Sequence, residues 1–169
     1  MSVPHDSVDS IVAAWHRERP DLDVTPLEVL SRVTRLARHL DLARRDAFAR
    51  HGLEAGEFDV LAALRRSGHP YEMSPGQLGT ATLVSSGTTT NRLDRLEGGG
   101  LVERRPDPAD RRGVRVRLTP AGSQRVDDAL TDLLESERHL LAALSSDDRA
   151  ALARFLKTLV MPFDDEEAP

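Results

Sequence analysis

Cysteine is absent from the 169 residues, which removes disulfides, thiolate metal sites, iron–sulfur clusters and thiol redox switches together. Aromatic residues are scarce, and the single tryptophan, Trp15, makes indole emission a reporter of one place only. No apolar run approaches the roughly 20 residues that span a bilayer, so a membrane protein is excluded. The first residues, MSVPHDSVDS, lack a basic segment followed by an apolar one, so neither a secretory signal nor a transit peptide is visible, and the cytoplasm is the expected location. Gly-rich phosphate loops, HExxH and Ser-His-Asp arrangements are missing as well. The six histidines, His5, His16, His39, His51, His69 and His139, are scattered singly. No metal, no cofactor and no enzymatic activity are expected.

What is present is a local excess of positive charge. Gly100 to Thr119 reads GLVERRPDPADRRGVRVRLT and carries six arginines in a chain of net charge −5. From Ser85 to Thr119, eight arginines face five carboxylates, which leaves the rest of the chain strongly acidic. Such asymmetry marks a footprint for a polyanion on an otherwise acidic body.

Helix signals punctuate the chain. Thr25-Pro26-Leu27-Glu28 reads as a capping box with proline at the first helical position, opening a long amphipathic helix that closes at His51-Gly52. EFDVLAALRRSG predicts a shorter helix ending at Gly68, and Ser74-Pro75-Gly76-Gln77 repeats the capping signature before LGTATL. A third short helix starts near Ser85-Ser86, runs through TTTNRLDRLE and stops at Gly98-Gly99-Gly100. Thr119-Pro120 caps a long helix to about Leu144. Ser145-Ser146-Asp147-Asp148 opens a last one expected to end before Pro162, with the acidic tail disordered.

In GVRVRLT, Val114, Val116 and Leu118 alternate with Arg115 and Arg117, the pattern of a half-buried strand. LVERR is its expected partner. PDPADRRG between them reads as the tip of a hairpin, from which Arg111 and Arg112 project to meet phosphates or a minor groove. The length lies within the range of one domain. Its expected parts are residues 1–52 (two N-terminal helices), 53–119 (the winged helix-turn-helix region), 120–161 (C-terminal helices) and 162–169 (the tail). The fold class is mainly α with a small β-hairpin wing: a winged helix-turn-helix with N- and C-terminal helical arms.

At 100° per residue, Thr89, Leu93 and Leu96 cluster within about 60° on one side of the third short helix. Gly87, Thr88, Asn91 and Arg95 lie opposite, and Ser86, at the helix start, and Thr90 are expected to contact DNA with them. Arginine and asparagine have the fork geometries that read guanine and adenine edges, and threonine methyls suit thymine. A winged-helix module used only for protein contacts is the competing reading.

NRLDRLEGGGLVERRPDPADRRGVRVRLTPAG resembles the signature of the MarR family of bacterial transcription regulators, and the resemblance extends over roughly residues 27–160. Its most specific element is Asp110-x-Arg112 followed by Leu118-Thr119 and Gly122. The resemblance implies that Asp110 steadies the wing and Arg112 enters the minor groove. It also implies that residues 1–52, with their extra first helix, and residues 120–161 are N- and C-terminal helical dimerisation arms of a homodimer, which reads a pseudo-palindromic duplex with two recognition helices about 34 Å apart and is nucleoid-associated when bound. The extra helix in VDSIVAAWHRERPDLD resembles the branch of the family that responds to urate or related small anions. In that branch a tryptophan, an aspartate and two arginines surround a ligand cleft, and the matching positions are Trp15, Asp59, Arg92 and Arg104. The implied function is a repressor released by such an anion; a phenolic or organic-acid effector is the alternative.

Part of this has a physical basis in the residues. Asp59 falls among apolar neighbours in FDVLAAL, and a partly buried carboxylate needs a cationic or hydrogen-bonding partner. Arg92 lies at the inner border of the recognition helix and is the candidate. The alternative is that Trp15 packs a dimer interface and Asp59 belongs to a structural ion pair with Arg92 or Arg104.

Overall fold

The computed structural model describes residues 5–108, 110 and 113–166. It divides into two compact units, residues 1–55 and 56–169.

The first unit contains α1 (Ser7–Glu18) and α2 (Thr25–Ala49). Asp6 caps α1: its Oδ1 accepts from the Val8 and Asp9 amides at 2.8 and 3.1 Å, and its own amide donates to Asp9 Oδ2 at 2.8 Å. This satisfies amides that the helix geometry orphans. Val8, Val12 and Val24 form a small buried cluster against which Leu27 packs. The capping box expected from Thr25 does not form. Val24 is the N-cap without a side-chain bond, and Asp23 Oδ1 instead accepts from the Thr25 amide and hydroxyl at 3.0 and 2.7 Å. Asp23, an ionised acceptor one residue upstream of the cap, is already in reach, so the Thr25 hydroxyl becomes a donor to it. The end of α2 matches the expectation: Gly52 has φ 66°, and Leu53 and Gly52 donate back to Phe48 and Ala49 carbonyls. That left-handed turn favours glycine.

The second unit holds α3 (Ala55–Arg66), β1 (Glu72–Met73), α4 (Pro75–Ala81), α5 (Ser86–Gly98), β2 (Val102–Pro106), β3 (Val114–Leu118), α6 (Pro120–Leu140) and α7 (Ser146–Glu166). A 3₁₀ turn, Leu141–Ala143, follows α6. The expected capping box at Ser74 and Gln77 is complete, with bonds of 2.8 and 3.2 Å. The strands are antiparallel in the order β1-β3-β2. The hairpin pairs Val102 with Leu118 and Arg104 with Val116. Val102, Val116 and Leu118 are buried, whereas Val114, nearer the tip, is exposed. β1, too short to show an alternating pattern, was not anticipated; it adds Glu72 and Met73 opposite Arg117 and Val116.

Arg65 joins α3 to α6, its Nε and Nη2 each 2.9 Å from the Asp127 carboxylate. The same guanidinium lies 4.9 Å from the centre of the Tyr71 ring. α7 does not end before Pro162. It continues to Glu166, so the acidic segment begins as helix rather than as a disordered tail. A proline removes one amide and crowds the preceding turn, which can interrupt a helix without terminating it.

Candidate nucleic-acid interface

α4 and α5 form a helix-turn-helix. α4 closes with Leu83 and Val84 amides donating to the Thr80 and Gly79 carbonyls, and Leu83 takes the left-handed φ of 54° at the exposed turn. Ser85 then caps α5, with the Thr88 amide donating to its Oγ. α5 buries Thr89, Leu93 and Leu96 almost completely. The Thr89 hydroxyl donates to the Ser85 carbonyl at 3.1 Å, so its burial leaves no orphan. Ser86, Gly87, Thr88, Thr90, Asn91 and Arg95 are exposed. Small residues at the helix start let the backbone approach a groove, and the longer polar side chains follow one turn later.

Arg95 is not simply solvated. Its Nε lies 3.0 Å from Oε1 of Glu57 on α3, and the Glu57 side chain is only 8% exposed against 58% for Arg95. Glu57 was missed at the sequence level because periodicity assigns faces within a helix but not partners between helices.

Where the strands open into the wing loop, the Asp107 amide donates to the Gly113 carbonyl at 2.9 Å and the Gly113 amide to the Asp110 carbonyl at 2.8 Å. Arg115 Nε donates to Asp107 Oδ2 at 2.7 Å. Asp107 therefore closes the neck of the wing loop, a role no motif signalled, and Asp110 lies exposed beyond it. Arg111 and Arg112 lie outside the described residues.

Of the four positions matched to a ligand cleft, three belong to the second unit. Arg92 stands over the start of α3. A Cβ at Gly56 would run into its guanidinium, and Nη1 is buried without a hydrogen-bond partner among the described residues. Asp59 is half-buried on the same helix as Gly56. Arg104 is occupied by α5: its amide and Nη1 donate to the Glu97 carboxylate at 3.0 and 2.6 Å, and Nη2 donates to Asp94 Oδ1 at 2.7 Å. Burial works against the charge on Arg104, but these two carboxylates raise its pKa above the usual guanidinium value. Trp15 lies on α1 in the first unit, with a relative exposure of 48%.

A helix-turn-helix followed by an arginine-rich antiparallel hairpin defines the winged-helix class of DNA-binding proteins. Comparison with known proteins carries this further. The sequence model of the MarR family matches residues 51–113. The HTH-type transcriptional regulator PecS of Dickeya dadantii (strain 3937) is 41% identical over 157 residues, covering 90% of this chain and 95% of PecS. The chain belongs to the MarR family. It is a DNA-binding transcription regulator, and the family's members are not enzymes.

Among solved structures, a mutant MarR from E. coli complexed with operator DNA superposes with a TM-score of 0.66 at 27% identity, over 82% of this chain and 99% of that one. AbsC, a MarR family transcriptional regulator from Streptomyces coelicolor, shares the fold with a TM-score of 0.73 at 23% identity, over 85% and 97%. No helix among the described residues is long and apolar enough to cross a membrane.

Proposed function

We propose that the chain is a homodimeric repressor that binds a pseudo-palindromic operator and leaves it when urate or a related small planar anion binds at Arg92. The observation that carries the ligand reading is the buried Nη1 of Arg92. A buried donor left unmade costs about 1–3 kcal/mol, more when charged, and an anion's oxygen would recover it. The absence of a Cβ at Gly56 leaves the guanidinium its room. Arg92 sits on the recognition helix, so a ligand that pulls on it acts on the DNA-reading element without a relay. The family resemblance adds Trp15 as a stacking surface and Asp59 as a competing carboxylate. Arg104, held by Glu97 and Asp94, takes part once the anion draws it from one of them.

Dimerisation is supported by apolar side chains without cover on the long helices. Val29 and Leu30 on α2 are 54% and 55% exposed, and Phe155 and Phe163 on α7 are 60% and 66% exposed. A stable soluble monomer rarely leaves such surface uncovered. DNA reading is assigned to Ser86, Gly87, Thr88, Thr90, Asn91 and Arg95 on α5 and to Arg111 and Arg112 on the wing, with Asp110 steadying it.

A titration of urate tests the reading. Trp15 emission should change saturably and the same concentrations should release a bound duplex, because linkage makes the two affinities reciprocal. Arg92→Ala should abolish both responses in a dimer that still binds DNA. Saturable quenching with unchanged DNA affinity would refute regulation by this ligand, and release by phenolic or organic acids alone would move the effector to that class. A stable monomer on DNA in sedimentation would refute the dimer.

A further inference from the structure

A buried carboxylate is costly to a fold, and the ion pair it makes with a half-exposed arginine repays little of that cost. Glu57 is such a group. Its side chain is 8% exposed, and it faces Arg95 Nε at 3.0 Å. If helix packing were all that mattered here, an apolar side chain would fill the same volume without desolvating a charge. What a carboxylate adds is direction. Bonded through Nε, a guanidinium loses rotation about its stem, and its planar fork takes one orientation. Arg95 belongs to the exposed face of α5 that also carries Gly87, Thr88 and Asn91.

We infer that Glu57 is a positioning residue for base recognition: it pre-orients Arg95 toward the major-groove edge of a guanine, so each half-site carries a G·C pair whose identity Glu57 enforces. Guanine is the base whose O6 and N7 accept both arms of an arginine fork. A fork already held loses less side-chain freedom on binding than a mobile one, and a wrong base leaves it unmatched. The inference rests on the reading of α5 as the recognition helix and extends it to a residue on α3 that itself need not touch DNA.

The test uses the full chain and a duplex selected by the parent protein from a random pool, followed by every single-base variant of that duplex. The parent should discriminate a G·C pair at one position per half-site by about tenfold or more. Arg95→Ala should flatten preference at that position. Glu57→Gln should flatten the same position while retaining preference elsewhere and the same dependence on salt. Glu57→Asp, which keeps the charge but withdraws it by one methylene, should give an intermediate result and serves if the glutamine variant does not fold. Uniform weakening by Glu57→Gln across all variants, or a lower melting temperature with discrimination intact, would show a structural ion pair and overturn the inference. If Arg95→Ala leaves every base preference in place, the assignment of Arg95 to base reading fails first. That outcome is distinguishable, because DNA binding by α5 would still be registered through Asn91→Ala.

Discussion

Arg32 on α2 reaches back to Asp6, the residue that caps α1: Nε is 2.9 Å from Oδ2 and Nη2 is 3.0 Å from Oδ1. The same Nη2 is 2.6 Å from Asp9 Oδ1, so one guanidinium closes the whole capping box. α1 carries Trp15, and its hold on α2 is therefore partly ionic.

That clasp sets a pH dependence. The Arg32 guanidinium, with the Asp9 and Val8 amides, holds the Asp6 carboxyl down to about 2, and Asp9 is lowered by the Asp6 amide and then by Arg32. A carboxyl depressed in the folded state contributes stability that is fully present above its unfolded pKa, near 3.9, and is lost as pH falls through the folded value. Trp15 emission should accordingly report loosening of α1 between about pH 4 and pH 2. Arg32→Ala should move that change up toward pH 4. An identical acid profile for parent and variant would show that the clasp does not hold the helix.

Gly122 lies in the first turn of α6, where a Cβ would overlap the Leu101 carbonyl and press on Leu118. Backbone cannot swing aside as a side-chain terminus can. Gly122→Ala should therefore destabilise the fold by about 3 kcal/mol, at the upper end of overpacking costs. Chemical denaturation measures this directly, and a loss under about 1 kcal/mol would mean that α6 shifts freely.

Gly56→Ala makes a subtler change, since its neighbour is the end of the Arg92 side chain rather than main chain. The guanidinium should be displaced and the anion response weakened by about tenfold, equivalent to 1.4 kcal/mol, in a stable protein. An unaltered urate titration of Trp15 emission would place the ligand elsewhere.

The wing makes its own prediction. Arg112→Ala should weaken binding to all duplexes alike and reduce the slope of log affinity against log salt by about one unit. Gel shifts at four salt concentrations suffice. A changed base preference at constant slope would assign Arg112 to base readout instead.

Local chemistry made much of the architecture legible in the amino-acid sequence. Ser74 and Gln77, Ser85 and Thr119 announced helix starts because a cap needs only residues within one turn. Thr89, Leu93 and Leu96 could be assigned to the inner face of α5 because its 3.6-residue period is a property of one helix. The alternation of Val116 and Leu118 with Arg115 and Arg117 likewise identified a strand by itself. Pairings across distance were not legible. Asp23 took the bond expected to stay within the Thr25 box, Glu97 and Asp94 claimed Arg104, Asp107 closed the wing, and Glu57 met Arg95. Each outcome depended on which carboxylate the fold brought within about 3 Å of a donor, and ionic pairing has no sequence period. β1 exists only because β3 offers it an edge. The sequence alone determined where most helices start, the hairpin, and the inner face of α5. Tertiary structure decided which of the many charged residues hold one another, because that choice is made by distance and burial after the elements have packed.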